Sequence, residues 1–307
     1  MAVLYDVEHV TTYKYAKPVT FGTHKAMFLP RSGPYGRILS YSATTNLKAR
    51  TRWIIDALSN VVTVIDIDEP GTELSFAFRL RGVHYGVAEA EAFPVEARAE
   101  AIPVQYTPDE WNDLIAYLRP HADDPDGSVA SWAKGFMTGE ESSTVDVIRR
   151  MLDTIGATFN YQAREAEGTQ SPPETLRARS GTCRDYAWLM IEALRRIGFA
   201  CRFITGYIYD AALDTGGTSG TVGSGATHAW VQVYLPGAGW LHYDPTNRIT
   251  GGMDLIPVAI ARHPAQAIPL QGSWFGSAGD FLGMSVKVRI RRLKTLTEDV
   301  EALGPTS

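Results

Sequence analysis

The sequence has 307 residues, of which 45% are hydrophobic and 21% are charged, and its formal net charge at pH 7 is -5. This composition is typical of a soluble globular protein, and the acidic balance argues against a nucleic-acid partner, which would need a clustered basic face. No apolar stretch reaches the ~18 residues that a membrane helix requires, so no membrane partner is expected. The most basic run, residues 287–292, alternates like a solvated edge strand.

The two cysteines, Cys183 and Cys201, are too few for a disulfide framework. The first nine residues lack the basic segment and apolar run of a signal peptide, and their composition indicates a strand. We therefore expect cytoplasmic residence, which suits reduced thiols.

Residues 1–95 are predicted to form an antiparallel β-sandwich. Residues 5–15 are rich in β-branched and aromatic side chains, and residues 73–80 alternate in polarity. Residues 52–56 and 61–67 are two further strands, joined by a plausible hairpin turn. Strands this closely spaced favour a sandwich, and we find no cluster of catalytic residue types among them.

Residues 96–150 are predicted to be a helical connecting segment, because 109–118 and 145–155 have a helical period. Residues 151–307 are predicted to be a mixed catalytic core. Its expected elements are a central helix at 183–197 and strands near 199–209, 227–235 and 239–244. The glycine-rich stretch 214–226 should be a flexible loop, of the kind that often covers an active site.

Cys183 is the candidate nucleophile. Thr182 and Asp185 have the spacing of a capping box, which makes Cys183 the first residue of the helix at 183–197. Free N–H groups and the positive end of the helix dipole stabilise a thiolate there, and the thiolate is the reactive form. The alternative is a small apolar residue on a buried helix face. That alternative is our interpretation of Cys201, which lies in a strand predicted to be buried, with no helix start beside it.

His228 and Asp244 are the candidate base and orienting acid. His228 lies on a strand that alternates as if half-buried, and Asp244 ends the strand that returns beside it. A carboxylate next to a histidine accepts its N–H, fixes its tautomer and stabilises the imidazolium. The expected turn places Asp244 opposite Gln232, so contact with His228 needs strong twist, a bulge or an asymmetric loop. The alternatives are a histidine bonded to a backbone carbonyl and an aspartate that caps a turn.

His242 competes with His228 for the role of base, but it lacks an acid at a comparable position. No cluster of His, Cys, Asp and Glu has metal-ligand spacing, and the nucleotide-binding glycine motifs do not occur. No metal or cofactor is expected.

Four separated blocks resemble the bacterial transglutaminase-like proteins, and the order Cys, His, acid is also that of papain-like peptidases. The blocks are Gly-Thr-Cys-Arg-Asp-Tyr-Ala at 181–187, Arg-Phe-Ile-Thr-Gly-Tyr at 202–207, Thr-His-Ala-Trp-Val-Gln-Val-Tyr at 227–234, and Trp240 through Asp-Pro-Thr-Asn at 244–247. Residues 7–15 with 29–31 resemble the β domain that precedes this core. Asp56 and Asn60 resemble it too, although Ser59 stands where a glycine is expected. The resemblance implies an α+β fold in which the helix bearing the cysteine packs on an antiparallel sheet.

Carried over by position, the family pattern makes Cys183 the nucleophile, His228 the base and Asp244 the third member. Arg184 departs from the pattern, in which Gln is commoner after the cysteine, and this leaves the substrate preference open. The implied activity is amide hydrolysis or acyl transfer through a thioester, on a peptide or protein substrate. Hydrolysis is favoured because water is abundant unless the site excludes it.

The resemblance also leaves two points open. The oxyanion needs a second donor besides the backbone N–H of the cysteine, and Gln162 and Gln170 are the candidates. The family contains inactive members as well as enzymes, so a non-catalytic binding module that keeps the fold is the alternative function. The oligomeric state is not predicted.

Overall fold

The computed structural model describes residues 2–30, 32–87, 94–137, 142–163, 168–214 and 220–293. The chain has an α+β fold with mostly antiparallel sheets, which confirms the predicted fold class. No helix in these ranges is long and apolar enough to cross a lipid bilayer.

The elements follow each other in two groups. The first group is β1 (Val3–Phe21), β2 (His24–Leu29), β3 (Gly36–Thr45), β4 (Ala49–Ile55), β5 (Val61–Ile67) and β6 (Gly71–His84). The second group is α1 (Pro108–Leu118), α2 (Ser128–Lys134), α3 (Thr144–Thr158), β7 (Asn160–Tyr161), α4 (Pro172–Ala178), β8 (Ser180–Gly181), α5 (Cys183–Arg195), β9 (Ala200–Ile208), α6 (Ala211–Asp214), β10 (His228–Leu235), β11 (Gly239–Asp244), β12 (Ile249–Thr250), β13 (Leu255–Ala261), β14 (Leu270–Gln271), β15 (Trp274–Phe275) and β16 (Phe281–Leu293). The predicted strands and helices all have counterparts here, but several elements were not predicted, among them β2, β3, β13, α2 and α4. The side chains of β3 are exposed or half-buried and give a weak apolar period.

Two antiparallel sheets pack face to face in the N-terminal region. One has the strand order β15-β1-β6-β3, with β16 also paired to β1, and the other has the order β14-β2-β5-β4. Apolar side chains from both sheets share one core, among them Val7 of β1, Phe28 of β2, Ile65 of β5 and Phe78 of β6. This region is the antiparallel β-sandwich that the sequence predicted.

The strand β16 joins this sandwich although it lies far along the chain. It pairs antiparallel with β1 over nearly its whole length. Residues 287–292 therefore form an edge strand, as predicted. The division into 1–95, 96–150 and 151–307 stays a prediction, but this pairing places a strand of the third segment in a sheet of the first. Strand pairing over such a separation leaves no local signal in the sequence.

The turn between β4 and β5 connects the sandwich to the rest of the molecule. Asp56 Oδ1 accepts the backbone N–H of Asn60 at 2.7 Å, and Ser59 has a φ of 64°. Asn60 Nδ2 donates to Ile260 O at 2.8 Å, and Ile260 N donates to Asn60 Oδ1 at 2.8 Å. Ser59 thus has the left-handed backbone that favours the glycine expected there, and Asn60 joins this turn to β13.

The C-terminal core is a five-stranded sheet in the order β12-β11-β10-β9-β13. The helix α5 packs on it, so that Ala187 meets Val231 of β10 and Leu241 of β11 in one apolar cluster. Val129 of α2 and Met151 of α3 enter the same cluster. A central helix bearing the cysteine on an antiparallel sheet is the arrangement that the family resemblance implied.

The strand β10 is buried on both faces, so the prediction of a half-buried strand was wrong. Ala229 and Val233 pack in the cluster around α5, while Trp230 packs on the other side with Ile204 and Leu255. Tyr35, from the segment before β3, packs against this second side. Alternation within a strand cannot reveal an element from elsewhere in the chain that covers its polar face.

Candidate active site

Cys183 begins α5, as the sequence predicted. Thr182 is the N-cap, with φ -88° and ψ 173°, and its Oγ1 accepts the N–H of Asp185 at 3.4 Å. Asp185 Oδ2 accepts the N–H of Thr182 at 2.8 Å, which completes the capping box. Cys183 is 6% exposed and lies in the first turn, where helix N–H groups point towards it and the dipole favours negative charge.

The β10–β11 hairpin brings His228 and Asp244 into contact. His228 Nε2 donates to Asp244 Oδ2 at 2.8 Å, and both side chains are fully buried. Leu235 pairs with Gly239, so the loop is shorter and its centre lies earlier than expected. The expected position of Asp244 opposite Gln232 was wrong. Asp244 lies diagonally across from His228, within reach of a direct bond and without a bulge.

Asn247 and the backbone of Thr246 also hold the Asp244 carboxylate. Asn247 Nδ2 donates to Asp244 Oδ2 at 2.8 Å, and the backbone N–H of Thr246 donates to Oδ1 at 2.9 Å. Asn247 also accepts the N–H of Val222 at 2.9 Å and donates to Val222 O at 3.0 Å. No role was predicted for Asn247, although its place in the Asp-Pro-Thr-Asn block was a signal.

The glycine-rich loop predicted at 214–226 is described only in part, and residues 215–219 lie outside the described residues. Its later part passes close to His228. A Cβ atom at Gly223, which has a φ of 87°, would lie 2.6 Å from His228 Nδ1. Only glycine, which has no Cβ atom, allows the backbone to come this close to the imidazole without a clash. The mobility of the loop stays a prediction.

The charges around His228 favour its protonated form. Burial by itself lowers the pKa of His228, but the Asp244 carboxylate and the Cys183 side chain outweigh burial and raise that pKa to about 10. Burial favours the neutral form of Asp244, but His228 and the hydrogen bonds from Asn247 and Thr246 more than offset it and lower the pKa of Asp244. An imidazolium–carboxylate pair is therefore the stable state at neutral pH.

The second ring nitrogen of His228, Nδ1, has no hydrogen-bond partner among the residues that the structure describes. The Cys183 side chain interacts with the His228 ring and favours its protonated form. Cys183 and His228 both line a pocket of about 260 Å³. Nδ1 is thus the nitrogen left for proton exchange with a group in that pocket.

Tyr161, at the end of β7, also lines this pocket, although no role was predicted for it. Its hydroxyl interacts with the Cys183 side chain, and burial followed by the charge of Cys183 raises the pKa of Tyr161. The phenol therefore keeps its proton at neutral pH and is a hydrogen-bond donor beside the sulfur.

Gln162 and Gln170, the candidates for the oxyanion donor, are not among the described residues that line the pocket. The N–H of Gln162 donates to Gly181 O at 3.0 Å, and the N–H of Gln170 donates to Asp185 Oδ1 at 2.6 Å. Both backbones therefore support the start of α5. Tyr161, the residue before Gln162, is the one that interacts with the Cys183 sulfur.

Comparison with known proteins agrees with this arrangement. A family model described as the transglutaminase-like superfamily matches residues 130–245, and a model of the bacterial transglutaminase-like N-terminal region matches residues 5–81. The chain belongs to the bacterial transglutaminase-like family. Cys183, His228 and Asp244 all lie inside the first match.

One reported relative and one reported solved structure are similar to this chain over more than nine-tenths of its length, and a second relative matches a shorter stretch. The chain is 28% identical over 294 residues to an uncharacterized protein of Mycobacterium leprae, and the match covers 92% of this chain and 97% of that protein. It is 38% identical over 71 residues to a protein-glutamine gamma-glutamyltransferase of Pseudomonas aeruginosa, which is 23% of this chain and 10% of the relative. The crystal structure of a candidate cysteine protease from Cytophaga hutchinsonii has a TM-score of 0.70 at 19% identity and covers 96% of this chain and 92% of that one. At this identity the likeness shows the shared fold alone.

Proposed function

We propose that this chain is an enzyme that hydrolyses or transfers amide bonds of a peptide or protein through a thioester on Cys183. The observation that carries the proposal is the 2.8 Å bond from His228 Nε2 to Asp244, which leaves Nδ1 for the pocket that His228 shares with Cys183. A thiol at a helix start, an imidazole and an orienting carboxylate are the groups that nucleophilic cysteine catalysis needs.

The reaction has two halves. The Cys183 thiolate attacks the amide carbonyl carbon and forms a C–S bond while the carbonyl electron pair moves onto oxygen. When this pair returns, the C–N bond breaks and the amine leaves with a proton from the His228 imidazolium. Water then attacks the thioester, His228 takes a proton from it, and the acid and free Cys183 are released. An amine in place of water would give a new amide.

The oxyanion is stabilised by the backbone N–H of Cys183 and, in this proposal, by the Tyr161 hydroxyl. Tyr161 interacts with the sulfur and stays protonated, so its O–H can donate to an oxygen formed beside that sulfur. We expect Tyr161→Phe to lower kcat by roughly 10²-fold, the effect of removing one oxyanion donor. Unchanged labelling of Cys183 by iodoacetamide in this variant would show that the nucleophile itself is intact, and an unchanged kcat would exclude the role.

The experiment that tests the function is trapping of the thioester. Wild-type and Cys183→Ala proteins are incubated with a library of glutamine-containing peptides, quenched in acid and analysed by intact mass, while released ammonia is measured. We expect an acyl adduct in the wild type alone, with ammonia release that needs no added amine if hydrolysis is the reaction. A folded wild type that neither forms the adduct nor reacts with iodoacetamide near pH 7 would support the non-catalytic binding module instead.

We also propose that the protein acts in the cytoplasm, where Cys183 and Cys201 stay reduced. Fractionation of the source cells tests this, and recovery outside the cytoplasm would contradict it.

A further inference from the structure

A wide groove leads away from the catalytic pocket. Gly168, Arg184 and Thr227 line both spaces, so pocket and groove are continuous. The groove has a volume of about 1370 Å³. This exceeds the ~300–1,000 Å³ that is usual for small-molecule sites, so it fits a segment of a polymer better than a small metabolite.

The helix α5 forms the wall nearest to the pocket. The Arg184 guanidinium donates to Pro264 O at 2.8 Å and to Ala267 O at 3.2 Å, which fixes the side chain at the junction. Trp188 lies further along α5, and its ring centroid is 4.8 Å from that of His263. These contacts make the near wall rigid before any ligand binds.

The sandwich forms a second wall of the groove. Tyr13 pairs with Met284 and Tyr15 pairs with Phe281 across β1 and β16, and all four residues line the groove. Paired residues of an antiparallel ribbon point to the same face, so the side chains form one apolar surface. Trp274 extends this surface, since its ring centroid lies 5.1 Å from that of Tyr15.

Part of this surface is open to solvent. Phe281 is 43% exposed and Met284 is 56% exposed, although both lie in a concave region. Phe281 also stacks on Trp274 at 6.4 Å with an interplanar angle of 25°. Contiguous apolar side chains left exposed in a concave region mark a site that a partner covers.

The charged side chains of the groove balance each other. Among the residues that the structure describes, they are the carboxylates of Asp123 and Glu174 and the guanidinium groups of Arg177 and Arg184. Three histidines, His24, His121 and His263, also line the groove, and burial lowers the pKa of His24 and of His263, so these two rings are neutral at pH 7. The surface therefore favours an uncharged, apolar partner over an acidic or basic one.

We propose that this groove binds the residues flanking the reacting amide of an extended peptide and selects apolar and aromatic side chains there. The inference rests on the proposed amide chemistry at Cys183, because that chemistry makes a peptide the polymer that enters the pocket. The β-sandwich, through β1 and β16, thus contributes to substrate selection by the core.

The test compares two peptides of equal length around one glutamine. One has flanks of phenylalanine, tyrosine and leucine, and the other has flanks of serine and glycine. Ammonia release gives kcat/KM for each peptide, and fluorescence anisotropy of the labelled peptides gives binding to the Cys183→Ala protein, which cannot turn them over. We expect the apolar peptide to be preferred by at least roughly tenfold in both measurements, since burying one large apolar side chain supports that factor.

The variant is Phe281→Ser combined with Met284→Ser, and the matched control is Leu282→Ser. Leu282 is 66% exposed on the same strand but is not among the residues that line the groove. The double variant should lose the preference, with the serine–glycine peptide changed by less than about twofold, and Leu282→Ser should keep it. Because all three side chains are exposed, circular dichroism should show unchanged folding.

The outcomes separate the two proposals. Preferential binding of the apolar peptide without turnover would support peptide selection by the groove and refute the proposed reaction at Cys183. Turnover without a preference, or equal behaviour of the double variant and Leu282→Ser, would refute peptide selection by the groove and leave the proposed reaction at Cys183 standing. Sedimentation showing a dimer that only the double variant dissociates, with no peptide binding, would assign the surface to a second copy of the chain and also overturn the proposal.

Discussion

His228 and His242 are both buried on the β10–β11 hairpin, and they differ in the charges around them. Asp244 and Cys183 outweigh burial at His228 and raise its pKa to about 10. Burial, with the positive charge of Arg202, lowers the pKa of His242 to about 3. At neutral pH, His228 is therefore protonated and His242 is neutral. Both rings are buried, so the difference comes from the charges next to them.

The hydrogen bonds of the two rings differ in the same way. Trp230 Nε1 donates to His242 Nδ1 at 2.8 Å, and the amide of Gln232 contacts the other ring nitrogen. His228 uses one nitrogen for Asp244 and leaves the other without a partner among the described residues. A ring with both nitrogens engaged serves structure, whereas a ring with one available nitrogen can move a proton.

The two cysteines repeat the contrast. Cys183 begins α5 and lines the pocket. Cys201 lies in β9 with no exposed surface, and burial raises the pKa of its thiol. A thiol that keeps its proton is a poor nucleophile, so Cys201 serves packing.

The largest expected effect distinguishes the cysteines. Cys183→Ala should lower kcat/KM for a peptide amide by roughly 10³-fold or more, because the nucleophile is gone. Cys201→Ala should stay within about tenfold of the wild type, since it changes packing alone. Peptide mapping after iodoacetamide treatment near pH 7 should find the label at Cys183. Preferential labelling of Cys201 in the folded protein would refute the assignment of Cys183 as the nucleophile.

The next effect distinguishes the histidines. His228→Ala should lower kcat/KM about as much as Cys183→Ala, because both thiolate pairing and protonation of the leaving group are lost. His242→Ala should lower Tm instead, since a buried Trp230 N–H without an acceptor costs about 1–3 kcal/mol. Kinetics and thermal unfolding are measured on both variants. Near-normal activity of His228→Ala with loss in His242→Ala would show that the wrong histidine has been chosen.

A smaller effect is expected at the carboxylate. Asp244→Asn should retain a remnant of activity, roughly a hundredfold above that of His228→Ala, because the imidazole still finds the right tautomer part of the time. The double variant His228→Ala with Asp244→Asn should be no worse than His228→Ala alone. Losses that add in the double variant would mean that Asp244 acts independently of the imidazole.

The smallest effect is a shift in pH dependence. His228 must be protonated to release the amine, so kcat/KM of the wild type should fall as pH rises through about 10. Asp244→Asn removes a charge that raises this pKa, so the falling limb should move down by roughly 1–2 pH units. The measurement is kcat/KM from pH 6 to 11 for both proteins. If the falling limb of the kcat/KM profile lies at the same pH in Asp244→Asn and in the wild type, Asp244 does not set the protonation of His228.

The residues of the candidate site could be predicted from the sequence, but their arrangement in space could not. The capping box at Thr182 and the order of Cys183, His228 and Asp244 were visible in the sequence, because they depend on short spacings and a family pattern. The diagonal contact of His228 with Asp244 was not, because hairpin register depends on a loop geometry that the turn residues leave open. Tyr161 was missed since nothing near it marks a chemical role, and only the pairing of β7 with β8 brings it to the sulfur.

By itself the sequence determined the elements whose signals are local: the start and period of α5, the strands that bear His228 and Asp244, and the helices α1 and α3. Only the tertiary structure decided which distant segments meet, such as β16 on β1, Asn60 on β13, and the groove between α5 and the sandwich. The physical reason is the range of the interactions. Capping and periodicity act between residues a few positions apart, whereas strand pairing and burial across the chain depend on the packing of the whole molecule.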